Sequence, residues 1–447
     1  MKFARYHFSP VAPVAALALA VASLSAQPAA QTPVPDQLDL KTAIGFALEN
    51  NFAIRQARER IKQQEGVVLE VSARTIPNVS AGGTAERVRL ESSSASADDD
   101  SWTINISASQ TLYAGGGVRS NVRSSRLARE AAILDLQATI NDALLQVRTG
   151  FYSVLLAREK ITVQEKNLEL LQQQLKTTTD RFDAGTVSSF EKLRAQVAVA
   201  NAQVPLITAK NDYRLAIEAL RQALGFTTNR QDSIRKIPDF TGSLNYTPVS
   251  FDLQAAFDAA HANRPDLQRL AKLTAAREES VTAAKAGYYP TVSAIAGWQR
   301  GKTPSLLFKS APAEQWVVGL QSQWNIFDGR ATSGRVTQAR SVLEQTKLSL
   351  TEAQLAAEVE VRRAFSNWQQ ATELADAMKL TVEQAEEAVR LANARYGAGT
   401  ATQLDMLQAQ TDLTTARTNQ IQAYYTYTVA VASLRKAMGQ ADEFVTK

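Results

Sequence analysis

Side chains able to do chemistry are scarce in this sequence. No cysteine occurs in 447 residues, which removes disulfides, thiolate nucleophiles, cysteine-ligated zinc and iron–sulfur clusters together. Of the two histidines, His7 and His261, only His261 lies outside the basic and apolar N-terminal segment, and its one acidic neighbour is Asp258. A single imidazole beside one carboxylate does not make a metal site. Gly115, Gly116 and Gly117 stand between a strand-like and a helix-like stretch, where a phosphate loop would sit. They lack the Lys-Ser/Thr ending of such a loop and the spacing of a dinucleotide fingerprint, so they read as a corner. Neither GxSxG nor HExxH occurs. No catalytic residue, metal site or cofactor is expected, and the chain is not expected to be an enzyme.

What must then be explained is architecture. Residues 1–26 read as an export signal: Lys2 and Arg5, a 14-residue apolar run from 11 to 24, then small residues around Ser23, Ser25 and Ala26. The run is shorter than the ~20 residues of a membrane-spanning helix. With no cysteine to acylate, export without a lipid anchor is expected. Loss of Lys2 and Arg5 takes the formal net charge from +5 to +3, too small a surplus to point to nucleic acid.

The chain repeats itself. DLKTAIGFALENN (39–51) resembles DLQAAFDAAHANR (252–264) at an offset of 213. After one small indel the offset is 214 throughout, pairing Trp102 with Trp316, Gly115 with Gly329, Phe151 with Phe365 and Gly225 with Gly439. RFDAGTVSSFEKLRAQ (181–196) and RYGAGTATQLDMLQAQ (395–410) share seven of sixteen residues. Chance similarity between helices would drift in register, so the halves are copies. The expected layout is a Pro-rich segment at 27–38, repeat one at 39–225, a linker at 226–250, repeat two at 251–439 and a tail at 440–447.

Each repeat reads as a helix, two strands, one very long helix, a tight turn and a returning helix. Ile133, Ile140, Val147, Val154, Ile161, Leu168, Leu175 and Phe182 recur every seven residues. Leu350, Ala357, Ala364, Ala371, Met378, Ala385 and Ala392 do the same in the second half. Strict sevens impose a left-handed supercoil on packed helices. A plain coiled-coil rod would explain the sevens but not the strands. In SWTINISASQTL (101–112), Trp102, Ile104 and Ile106 alternate with Thr103, Asn105 and Ser107. In QWVVGLQSQWNIF (315–327), Trp316, Val318, Leu320, Trp324 and Ile326 oppose Gln321, Gln323 and Asn325. With partners starting near Pro77 and Tyr288, two strand pairs are expected, at about 76–112 and 288–327. Apolar-out, polar-in alternation with aromatic residues near strand ends is the outer-membrane barrel pattern. Trp102, Trp298, Trp316 and Trp324 are expected in these strands at the membrane interfaces. The serine-rich, acidic 91–100 and the longer 300–314 read as the solvent loops of the two hairpins.

Over nearly its whole mature length the chain resembles the TolC-type outer membrane efflux proteins. The duplication, the ANRPDLQRL segment (262–270), the proline-led strands at Pro77 and Pro290, and the paired RF/RY-x-AGT turns carry the resemblance. It implies a mainly α fold with long helical hairpins forming an α-barrel tunnel, and four strands per chain in one β-barrel shared by a homotrimer. It implies an exit duct docking to a periplasmic adaptor and an inner-membrane transporter, set in outer membrane lipid and extending into the periplasm. Gly185, Thr186, Gly399 and Thr400 would be the adaptor-facing tip, and Asp405 and Glu191 would lie at the pore constriction. Ala401 and Gln408 depart from the family pattern, which has an arginine and a second aspartate there. The competing readings are a soluble periplasmic coiled-coil scaffold or adaptor, and an exported enzyme. An adaptor would carry one hairpin and a lipoyl-like domain, whereas two hairpins and two amphipathic strand pairs are present.

Overall fold

The computed structural model describes residues 37–92, 95–226, 238–302, 311–440 and 442. The export signal and most of the Pro-rich segment lie outside these residues, as do parts of the linker, of the second hairpin loop and of the tail.

A two-residue strand β1 (Gln37–Leu38) leads into α1 (Leu40–Asn50) and α2 (Phe52–Ser72). Strands β2 (Asn78–Ser92) and β3 (Ala95–Ala114) follow, then α3 (Gly117–Asp183) and the returning α4 (Ser189–Leu224). After β4 (Asp239–Phe240) the order repeats as α5 (Leu253–Asn263), α6 (Pro265–Lys285), β5 (Thr291–Lys302), β6 (Ala313–Gln323), α7 (Ala331–Gly397) and α8 (Gln403–Ala437). Helices α3 and α7 are each 67 residues long, about 100 Å at 1.5 Å per residue. Both heptad seams are buried or half-buried along their whole length, the supercoil contacts that the sevens require.

The opening helix of each repeat is two helices. Asn51 ends α1 and caps α2, its Oδ1 accepting from the amides of Ala53 and Ile54. Its Nδ2 donates to the carbonyl of Ala223 at the end of α4, 2.7 Å away. The counterpart of Asn51 in the second repeat is Arg264, which donates to the carbonyl of Ala437 at the end of α8. The buried Arg264 guanidinium also binds Asp266 at 2.7 Å and Glu360 at 2.6 Å. Burial opposes ionisation of both carboxylates, yet hydrogen bonds from Arg264 hold each below its ordinary value. Each repeat thus pairs one continuous helix with a split one, α4 and α2 lying end to end beside α3. Gly225 and Gly439, at φ 77° and 69°, pass so close to this junction that a Cβ would strike the backbone of Asn50 or Arg264.

The core sits at mid-height. Leu38, Ile44, Leu144, Val147, Phe151, Leu155, Leu220 and Phe240 cluster where α1, α3, α4 and the linker meet, with a smaller cluster around Val361 and Leu434 in the second repeat. The parallel pairing of β1 with β4 brings Gln37 and Leu38 to the linker, a contact two residues long.

One antiparallel sheet runs β2-β3-β5-β6. Above mid-height the helices follow the same order: α3 packs on α2 and α6, and α6 on α7. Cross-strand register places Asn105 beside Gln299 and Gln299 beside Gln315; on the other face Ile106, Trp298 and Trp316 align. Leu320 and Ile104 belong to the apolar face and Gln321 and Asn105 to the polar one. Two expectations need correction. Residues 91–92 and 95–100 are not loop: pairing continues to Ser92 opposite Ala95, with Arg87 bound to Asp100 at 2.9 Å. Trp324 is not in a strand, because β6 ends at Gln323 opposite Thr291, the first residue of β5. The Trp324 indole instead donates to the carbonyl of Tyr288. Trp102, Trp298 and Trp316 do lie within strands.

Leu320, 73% exposed, lies between Trp316 and Trp324 at the middle of the apolar face. Leu320→Arg should cost about 2–4 kcal/mol and reduce assembled protein in outer-membrane fractions. Gln321→Arg should assemble normally; equal loss for both variants contradicts this register.

Candidate functional site: the hairpin tips

Both hairpins reverse through the same backbone geometry. Gly185 (φ 75°) and Gly399 (φ 74°) adopt the left-handed conformation that ends a helix. The amide of Thr186 donates to the carbonyl of Arg181 at 2.9 Å and that of Gly185 to Phe182 at 2.9 Å. Thr400 and Gly399 repeat these bonds to Arg395 and Tyr396. The Thr186 and Thr400 hydroxyls add a second bond to the same carbonyls, 2.8 and 3.1 Å. These threonines therefore satisfy orphan carbonyls at the helix end, while both glycines have open space around Cα.

The two returning helices begin differently. Thr402 caps α8 with a full capping box: its amide and its hydroxyl both donate to Asp405 Oδ2 at 2.8 Å, and its hydroxyl accepts from the Asp405 amide. The backbone bond from Thr402, then its side chain, hold the exposed Asp405 carboxyl below the usual carboxylate range. In the first repeat Ser188 caps α4 by accepting from the Glu191 amide at 3.4 Å. The tips are joined within the chain. Gln403, 4% exposed, donates to the carbonyl of Glu191 at 3.3 Å, so the structure brings the turn before Asp405 against Glu191. The Arg181 guanidinium lies over the Tyr396 ring, 5.2 Å from its centre, joining α3 to α7.

Higher up, polar contacts link α3 to α8: Thr414 to Asn167 at 3.0 Å and Lys160 to Gln422 at 3.0 Å. Gln408 donates to Asp412 at 2.9 Å. Asp412 stands seven residues after Asp405 on the same face of α8 and is exposed. Sequence reasoning passed over it, although heptad spacing from Asp405 was the available signal. Elsewhere His261 lies 3.3 Å from Glu358 in an exposed pair on the outside of α5 and α7. Among the described residues no group of three His, Asp or Glu side chains could hold a metal ion, and no helix is long and apolar enough to cross a membrane.

Two long hairpins bearing matched tips, surmounted by four strands with one apolar face, define a tunnel-and-barrel channel subunit. The profile of the outer membrane efflux protein family matches residues 43–226 and 256–440, one match per repeat, and the chain belongs to that family. The pyoverdine export outer membrane protein OpmQ of Pseudomonas putida is 26% identical over 90% of this chain and 87% of its own. The cobalt-zinc-cadmium resistance protein CzcC of Cupriavidus metallidurans is 25% identical over 85% of each. The outer membrane protein VceC of Vibrio cholerae superposes with a TM-score of 0.76 at 18% identity, over 90% of this chain and 96% of that one. The protein is therefore an outer membrane channel component extending into the periplasm, not a soluble scaffold.

Thr402→Ala removes the capping hydroxyl, and amide exchange in the first turn of α8 should rise about fivefold. The share of protection owed to Asp405 is present above the ordinary carboxylate range. It is lost as pH falls through the lowered value. In Asp405→Asn the acid-dependent part of the exchange should vanish.

Proposed function

We propose that three copies of this chain close into one passive duct that a periplasmic adaptor joins, at the hairpin tips, to an inner-membrane transporter. The observation that carries the reading is where apolar surface is left uncovered. Above mid-height the lateral helices are α2 and α7; below it they are α4 and α7. Exposed large apolar residues fall on these edges: Leu69 on α2, Phe190, Val197, Val204 and Ile207 on α4, Leu348, Leu355 and Leu380 on α7. Helices α3 and α6, which have neighbours on both sides, carry none. The sheet likewise ends in two strands, β2 and β6, whose outer edges are unpaired. A heterologous contact of one edge with the other closes a ring, and four strands per copy are too few to close a barrel alone.

In this reading Gly185, Thr186, Gly399 and Thr400 form the adaptor-facing surface, presented twice per chain. Asp405 rings the constriction once per chain, with Glu191 behind it at the junction of the two tips. Trp102, Trp298 and Trp316 anchor the strands at one membrane interface, with Trp324 at the other. The duct acts as a conduit and not as an enzyme. Relatives of similar identity are named for export of pyoverdine and for resistance to cobalt, zinc and cadmium, which supports a duct without a cargo-reading site.

Replacing Gly185 and Gly399 together by valine forces a β-branched residue into φ near 75° at both tips. Transport in intact cells should be abolished while barrel assembly in the outer membrane stays normal; surviving transport would make the turns structural only. Like charges at a constriction attract cations. Multivalent cations added on the periplasmic side should block conductance in planar bilayers, and Asp405→Asn should weaken that block far more than Glu191→Gln does. The opposite ranking overturns the assignment.

A further inference from the structure

Each of the four corners where a helix meets a membrane strand carries one cation without an ion-pair partner among the described residues. Arg74 lies in the turn between α2 and β2, Arg119 in the first turn of α3, Lys285 at the end of α6 and Arg330 at the start of α7. Their neighbours Arg123 and Arg335 do have partners, Glu279 at 3.0 Å and Asp328 at 3.7 Å. The corners stand side by side. A Cβ on Gly115 would lie 2.8 Å from Tyr289, and one on Gly287 would lie 2.7 Å from Thr332, so the second corner abuts the third and the third abuts the fourth. The turn holding Arg74 touches β3 and α3. The four cations are therefore a row at one level.

Arg330 shows that this row is more than surface charge. With φ at 71° it is the one non-glycine residue at positive φ among the described residues. Its counterpart in the first repeat is Gly116, at φ 81°, which adopts this conformation without strain. An arginine there lowers stability relative to glycine, and its exposed side chain has no hydrogen bond or ion pair among the described residues. Nor does its side chain cap α7, although it holds the N-cap position: Asp328 does so, accepting from the Thr332 amide at 2.7 Å. Strain of this kind, kept with no return inside the fold, points to a partner outside it.

The neighbouring surface indicates which partner. Immediately on the strand side of the row lie exposed Ile76, Leu112, Tyr288, Trp324 and Phe327, 50–83% accessible. This belt lies at the end of the sheet nearest the helices, the level at which acyl chains give way to headgroups. We propose that Arg74, Arg119, Lys285 and Arg330 form a collar that binds the phosphates of anionic phospholipids in the periplasmic leaflet and so fixes how deep the barrel sits. The inference rests on the outer-membrane placement but not on the tip assignments.

Native mass spectrometry of the full-length protein in mild detergent, with phosphatidylglycerol and phosphatidylcholine in competition, tests the collar. Each cation near a membrane surface contributes about fivefold to binding of anionic lipid. Wild-type protein should retain phosphatidylglycerol preferentially. Arg330→Gly should lower that preference about fivefold while leaving the unfolding temperature in detergent equal or higher, because glycine relieves the strain. The variant R74Q/R119Q/K285Q/R330Q should show no preference. Equal retention of the two lipids by wild type overturns the proposal. So does unchanged phosphatidylglycerol preference in Arg330→Gly or in the fourfold variant, and altered ion selectivity with that preference intact would place the cations in the lumen. Displacement of the lipid by millimolar inorganic phosphate would assign the site to a free anion instead. Recovery of the wild-type protein in the soluble periplasm would instead defeat the membrane placement itself.

Discussion

Backbone hydrogen bonding inside hydrocarbon is the constraint on which the rest of this structure depends. A lipid-embedded strand has no water to satisfy its amides and carbonyls, so every such group must find a partner strand. This chain supplies four strands in a fixed order and leaves the outer edges of β2 and β6 open. An open edge in a membrane is untenable, and the demand for closure passes to the helices below, which share the order of the strands. In the proposed ring the result is a single layer of helices, each with neighbours on two sides only and a lumen face and an outer face to keep wet. That is why the helices rely on narrow heptad seams and small residues, and why the thick aliphatic core is confined to mid-height, where α1 and the linker add a second layer.

Duplication explains the economy of the fold, and divergence of the copies explains its asymmetries. Asn51 and Arg264 occupy equivalent positions and reach equivalent carbonyls, but the arginine recruits Asp266 and Glu360 where the asparagine needs no charge. Thr402 forms a complete capping box with Asp405, whereas Ser188 makes a single long bond to Glu191. At the opposite end the first copy has Gly116 where the second has Arg330. The copies have kept the backbone path and exchanged the side chains, so that each corner and each tip has its own chemistry.

Features with a strong local cause could be read from sequence. The sevens of α3 and α7, the left-handed glycines at the tips and the alternation of the strands all depend on spacing or on a residue that few others can replace. What escaped depends on partners. The run 91–100 has the composition of a loop, yet 91–92 and 95–100 pair, because β3 extends far enough to meet β2 residue for residue and Arg87 meets Asp100. Alternation persists through Trp324 and Ile326, but β5 has no residue left to pair with them. The break at Asn51 falls inside a continuous helical pattern, since the signal is one capping side chain and the cause is the distant end of α4. A two-residue contact such as β1 with β4 has no period to detect. At the tips the glycines were legible, whereas the capping of Asp405 and the joining of Gln403 to Glu191 required coordinates.

The placement of the core has a mechanical consequence. None of the aliphatic clusters includes a residue of α3 beyond Leu156, although that helix continues to Asp183. The mid-height core is thus a fulcrum, and each hairpin below it is an arm of roughly 45 Å held to its neighbours by seams, polar contacts and exposed ion pairs such as Lys210 with Glu165. Turning a stiff arm of that length by about 5° carries its end about 4 Å. A movement too small to disturb side-chain packing at the fulcrum is multiplied at the tips, so this geometry trades torque for travel.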